Sequence, residues 1–366
     1  YPPELVRAAV ELIQARQRAR GKFSRAERMW FDRRGVEQAT DELVARRKTE
    51  RFAAHPEVVD LCCGVGGDTI ALAQRTVVVA VDESPLACWF TRRNAEAYEV
   101  DRRVTVACAD VRSLRDADLP IHIDPDGRPP RGSPAGGSAA TRHRRLQELR
   151  PPLDDLRRLM DRYPGGAIKL SPASNFHGAF SGVEIELTSL WGECKEATVW
   201  FGSLRSEAPY RATVLPAGET LAGDPMAACA PVGPPQRYLY DPDAAVVRAG
   251  LVDVLAERLR FNRLDRDDDY LTADHFVGSP MVTALRVLEV LPNNDRAIRQ
   301  TLRVHRFRHV EIRHRRVRVA QPQRLTRGVT GGDRPPGVLV LARVAGRVSA
   351  IVAERVEPPQ PVAQSP

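Results

Sequence analysis

Lysine is nearly absent from this 366-residue chain. Arginine supplies almost all of its 55 Lys and Arg residues, against 47 acids, for a formal net charge of +8. Arginine forks match phosphate geometry bidentately, so the imbalance favours a polyanionic partner. Long apolar runs are missing as well. "TVVVAVDES" is too short and "GVLVLARVAGRVSAIVAERV" is broken by arginines; neither approaches the ~20 residues of a membrane span. Aromatics are sparse, at 6%. The six cysteines (Cys62, Cys63, Cys88, Cys108, Cys194, Cys229) form no CxxC pair and no zinc spacing. That argues against a metal site and a disulfide framework, and fits a reduced cytoplasmic setting. The chain starts at Tyr1 rather than methionine, as expected if a short native leader is missing, and nothing present has the pattern of a signal peptide.

What is present alternates. Residues 1 to about 50 read as helical, with Ser24 as an N-cap candidate and Thr40 placed to cap "DELVARRKTERFA". From Val58 the period changes to strands and helices in turn, through "EVVDL", "TVVVAVDE", "RVTVACAD", "LPIHIDPD" and "AIKLSP". Strands alternating with helices, apolar on both faces, predict an α/β fold with a mostly parallel sheet. "VEIELTSL", "EATVWFGSL" and "YRATVLP" look like closing, partly antiparallel strands. The Gly/Pro/Ser-rich stretch 124–145 is long enough to be functional or mobile, and 216–236 reads as a linker.

The stretch "VVDLCCGVGGDTIALA", residues 58–73, carries the first chemistry. In an open α/β sheet, ligands sit beyond the carboxyl ends of the strands, where strand order reverses. Gly64 and Gly66 permit a tight turn there. A dinucleotide fingerprint would want glycine where Ile70 stands, Asp68 at the helix start would repel a pyrophosphate, and the Gly-Lys-Ser/Thr of a P-loop is absent. An acid before a Cys-Cys-Gly-x-Gly turn suits instead a cationic cofactor with a carboxylate and no phosphate, such as S-adenosylmethionine. Asp82 ends the second strand, where a carboxylate can accept both ribose hydroxyls. Asp110 ends the third, placed for the adenine amino group, and Asp124 ends the fourth, facing the reactive end. A single strand-end aspartate is often only a turn former; four in order point to one crevice.

These motifs, with "MWFDRRGVEQATDELVARRKTERFA" before them, resemble class I S-adenosylmethionine-dependent methyltransferases of the RNA-modifying, trimethylguanosine-synthase-like type. The module after the linker looks like the THUMP-like domain of some bacterial members. The resemblance implies a Rossmann-like seven-stranded methyltransferase sheet and a smaller α/β domain. Its expected organisation is a helical lead-in at 1–54, the cofactor domain at 55–216, a linker at 217–236, a THUMP-like domain at 237–356 and a disordered tail at 357–366. It further implies that Asp60 orients the methionine amino group and that the turn at Cys62, Gly64 and Gly66 approaches the cofactor closely. Asp82 would bind ribose and Asp110 would lie near adenine.

Methyltransferases acting on exocyclic amines usually carry Asn/Asp-Pro-Pro-aromatic at the fourth strand end. Here Asp124 and Pro125 keep the opening, but Asp126 and Gly127 replace the second proline and the aromatic. Asp124 is the candidate amine acceptor or base, and the stacking ring must come from elsewhere. Phe176 ranks ahead of Trp30, Trp200 and Phe201, of which the last two sit in a strand and one at least belongs to the core. No cysteine sits in a catalytic loop, so all six read as packing residues. Arg142, Arg144 and Arg145 add charge beside the expected mouth, and 303–327 holds nine arginines against one acid, Glu311. Together they predict an RNA partner, tRNA or rRNA. The leading expectation is methylation of an RNA base nitrogen. The alternatives are a catalytically altered RNA-binding protein of the same fold, or a methyltransferase for a small molecule or protein.

Overall fold

The computed structural model describes residues 1–115, 117–126, 146–176, 178–319, 321–329 and 331–356. Gly127, Arg142, Arg144, Arg145, His177 and the tail 357–366 lie outside the described residues. The chain divides into two compact units, Tyr1–Pro209 and Tyr210–Pro366.

The first unit opens with three helices, α1 (Pro3–Ala19), α2 (Arg33–Gln38) and α3 (Glu42–Thr49). Their caps differ from those expected. Asp32 caps α2 by accepting from Gly35 N, and Asp41 caps α3 by accepting from Leu43 N. Thr40 turns its hydroxyl to Asp68 instead. Ser24 caps no helix, because its N–H and hydroxyl are taken by Glu42.

Five strands follow, rich in β-branched residues that suit a pleated, buried surface. They are β1 (Glu57–Leu61), β2 (Val77–Asp82), β3 (Val104–Cys108), β4 (Ile121–Ile123) and β5 (Gly165–Leu170), with helices α4 (Gly67–Ala73), α5 (Pro85–Ala97) and α6 (Leu153–Arg162) between them. β6 (Glu184–Leu190) and β7 (Glu193–Gly202) complete the unit's sheet. These seven strands run in the order β3-β2-β1-β4-β5-β7-β6. β1 pairs parallel with both β2 and β4, while β7 is antiparallel to β5 and β6. Strand order therefore reverses between β1 and β4, the place where such a sheet leaves a crevice. Trp200 and Phe201 are both buried, and Trp200 packs against Phe52 of the lead-in with ring centroids 5.8 Å apart.

The second unit begins with a hairpin, β8 (Tyr210–Leu215) and β9 (Glu219–Gly223), turned by Gly218 at φ +74°. The expected linker thus contains a strand. Its remainder is pinned rather than free: Ala230 is fully buried, Gly233 N donates to Arg263 O, and Arg263 N donates to Pro231 O. Then come β10 (Tyr238–Pro242), α7 (Ala244–Arg248), α8 (Val252–Leu259), β11 (Asn262–Arg263), β12 (Leu271–Ala273) and β13 (Val282–Pro292). The unit ends with α9 (Asp295–His305), β14 (Val310–His314), α10 (Gln323–Thr326), β15 (Gly337–Val344) and β16 (Arg347–Arg355). The strands β11-β12-β10-β13-β16-β15-β14 form one sheet.

Candidate active site

The turn after β1 is built for close approach. Cys62, Gly64 and Gly66 all have positive φ, at +57°, +57° and +82°. Gly66 also needs its lack of a side chain, since a Cβ there would sit 3.1 Å from Thr91 Cα. A Cβ on Gly64 would meet nothing within 4 Å, so that backbone faces open space. The space is a cavity of about 1150 Å³ whose wall includes Cys62, Gly64, Asp68, Asp82, Asp110 and Asp124.

Three of the four strand-end acids open onto it. Asp82 anchors the turn, accepting from Gly64 N and Ser84 N at 2.9 Å each. Burial pushes its carboxyl up, and those two hydrogen bonds oppose the shift. Asp110 is half-buried and chelated by Arg112 at 2.6–3.0 Å, which holds its carboxyl down at about 2. Asp124 lies 2.6 Å from Lys169 Nζ. Burial raises its carboxyl, and the ammonium partly offsets that. Pro125 is on the same wall, and Asp126 is gripped by Arg34 and by Gln38 Nε2 from α2.

Asp60 departs from its expected role. It is 1% exposed, accepts from Thr69 Oγ1, and sits 2.7 Å from His122 Nδ1, so it faces the interior behind the turn. The cause is register: His122 is directly opposite Asp60 in the β1–β4 pair. The buried acid that does reach the cavity is Asp68. Burial acts against its ionisation, but Lys48 at 2.9 Å, His122, Lys169 and the Thr40 hydroxyl hold its carboxyl far below the ordinary range. Lys48, itself 4% exposed, also binds Glu196 at 2.8 Å.

The sequence uses Asp68 only to exclude a pyrophosphate and singles out none of His122, Lys48 and Lys169, although a signal for the two lysines is present. The chain has only four lysines, Lys22, Lys48, Lys169 and Lys195. Three of them line the cavity, and Lys48 pairs with Asp68 and Glu196 on its wall. Where arginine is used almost everywhere, a retained lysine marks a place for a compact ammonium rather than a planar fork.

The other expectations divide. Phe176 is 1% exposed and off the cavity wall, so its ring offers no stacking face. Burial first, then Asp82 and Asp124, push the Cys62 thiol well up. Burial and Asp60 do the same to Cys63. A thiol held neutral in this way is a poor nucleophile. In the second unit the arginine run does not form one basic face. Arg313 and Arg315 bind Asp241 at 2.6 and 2.7 Å, and Arg316 binds Asp269 at 3.0 Å. Arg303, Arg308, Arg318, Arg324 and Arg327 are exposed and make no side-chain ion pair among the described residues. No helix among the described residues is long and apolar enough to cross a membrane, and they hold no cluster suited to a metal ion.

Known proteins are similar to this chain in sequence and fold. Residues 56–149 match the family model described as RNA cap guanine-N2 methyltransferase, and residues 282–355 match one described as THUMP domain-like. An uncharacterized S-adenosylmethionine-dependent methyltransferase of Mycobacterium tuberculosis (strain CDC 1551 / Oshkosh) is 31% identical over 359 residues. The alignment spans 94% of this chain and 95% of that one. The protein of the same description in strain ATCC 25618 / H37Rv aligns to the same extent. A crystal structure of a candidate methyltransferase from Porphyromonas gingivalis W83 superposes with a TM-score of 0.77 at 18% identity, covering 98% of this chain and 92% of that one, and so shares its fold. A full-length relative at this identity settles the matter: the chain belongs to the S-adenosylmethionine-dependent methyltransferases.

Proposed function

We propose that this methyltransferase acts on a base nitrogen of a structured RNA, tRNA or rRNA. The observation that carries the reading is the coincidence of the RNA cap guanine-N2 methyltransferase match with residues 56–149, the segment holding Asp82, Asp110 and Asp124. The THUMP domain-like match and the five unpaired exposed arginines of the second unit support an RNA partner.

The cavity's chemistry fits the cofactor. Its wall offers carboxylates for hydroxyls and a cation, an open backbone at Gly64, and no phosphate-binding lysine on the turn. In this reading Asp82 takes the ribose hydroxyls, Asp110 and Val111 flank the adenine, and Cys62, Gly64 and Gly66 form the close-approach turn. Asp68 serves the amino group in place of Asp60. When bound, the cofactor supplies an electrophilic methyl on a sulfonium. Asp124 accepts an N–H of the target amine, which aims the nitrogen lone pair, and then receives the departing proton. Pro125 fixes the backbone of that acceptor. Arg34 and Gln38 hold Asp126, which stands where the usual motif has its second proline.

Incubation with a labelled methyl donor and total RNA from gene-deleted cells tests the proposal, followed by nucleoside mass spectrometry. Label in one base nucleoside that wild-type RNA already carries is the expected result. Absence of label from RNA, with normal cofactor binding, would favour the altered, binding-only reading that Asp126 raises.

A further inference from the structure

Tryptophan is usually well buried, and Trp200 follows that rule at 1% exposure. Trp30 and Trp89 do not. They are 37% and 41% exposed and stand edge to face, with ring centroids 5.1 Å apart and planes at 77°. Each carries a guanidinium: Arg16 lies 5.5 Å from the Trp30 centroid and Arg93 lies 5.9 Å from that of Trp89.

Trp30 is tied to the turn through its backbone. Asn94, fully buried, accepts from Trp30 N at 2.7 Å and donates to Trp30 O at 2.9 Å and to Val65 O at 2.8 Å. One side chain thus fixes the tryptophan backbone to the cofactor turn. The patch also reaches the cavity rim. Leu86, one helical turn before Trp89, is 54% exposed and lines the cavity, as do Asp32 and Arg34 just after Trp30.

We infer that Trp30, Trp89, Arg16 and Arg93 form a stacking surface for unpaired nucleotides flanking the target base. The inference rests on the RNA reading above. Indole rings stack on any base, and adjacent guanidinium groups suit the phosphates between them. Glu96 binds Arg93 at 2.8 Å, so one of the two cations is shared with an acid. The net charge of +8 and the arginine on each ring favour nucleic acid over an apolar protein partner.

The test uses the full chain carrying Trp191→Phe, which removes the other exposed indole, titrated with a short oligoadenylate. Saturable quenching of tryptophan fluorescence is expected. Trp30→Ala with Trp89→Ala should weaken binding, followed by anisotropy of a labelled oligonucleotide, by roughly tenfold or more. The melting temperature and cofactor affinity should be retained. No saturable quenching, or equal affinity in the double variant, overturns the inference and leaves the patch to a protein partner. The RNA reading fails separately, when the wild-type protein methylates no RNA even though oligoadenylate binding depends on the tryptophans.

Discussion

Asp60 and Asp82 end neighbouring parallel strands, yet they serve different regions. Asp60 belongs to the sheet face behind the turn, where every charge meets a partner from within the chain. There Thr69 and His122 hold Asp60, and Arg51 holds Glu184 through two bonds of 2.6 and 2.8 Å while stacking 4.3 Å from Trp200. Asp82 belongs to the cavity in front, where, among the described residues, only backbone amides donate to its carboxylate. The same residue type at the same kind of position is structural on one side and available on the other. Which it becomes depends on whether another element delivers a donor.

The largest expected break in this comparison is at the buried lysine that joins two acids of the cavity wall. Lys48→Met leaves Asp68 and Glu196 buried without their cation, which should destabilise the protein by about 3–5 kcal/mol in denaturant unfolding. The pH dependence has a definite sign. Asp68 has a depressed folded value, so its contribution is present above the ordinary aspartate value near ~3.9 and is lost as pH falls toward the folded one. Removing Lys48 lifts that folded value, and acid unfolding should begin at higher pH. Wild-type acid resistance in Lys48→Met would show that the buried pair is not what joins the lead-in to the sheet.

At Asp124 the effects should appear in rate rather than stability. Lys169 opposes the burial that raises Asp124. Lys169→Met should therefore shift the acidic limb of the methyl-transfer profile to higher pH and slow the reaction at neutral pH by roughly tenfold. That is less than the ~10²–10⁴ a general base itself contributes. Lys169→Arg should restore part of the loss. A profile that keeps its acidic limb would detach Lys169 from Asp124.

Much of this arrangement was legible in the sequence because it is local. Strand periodicity gave β1 to β5, and the glycines with Asp82, Asp110 and Asp124 marked the crevice. What stayed hidden depends on contacts between distant segments. Lys48 meets Glu196 across 148 positions and Lys169 meets Asp124 across 45, and neither pair has a local pattern. Asp60 misled because strand-end position alone does not reveal the histidine opposite it. Phe176 misled because a polar loop can still fold an aromatic ring inward. The count of nine arginines against one acid overstates the run's free charge, because Asp241 and Asp269, which take up three of its members, lie far upstream.

Calorimetric titration of S-adenosylmethionine into wild-type, Asp82→Ala and Asp60→Asn proteins tests the front-and-back division most directly. Asp82→Ala should lose at least about tenfold in affinity, the scale of hydrogen bonds to a charged group. Asp60→Asn should bind close to wild type while melting at lower temperature. The opposite pattern, with Asp82→Ala binding normally and Asp60→Asn failing to bind, would contradict it.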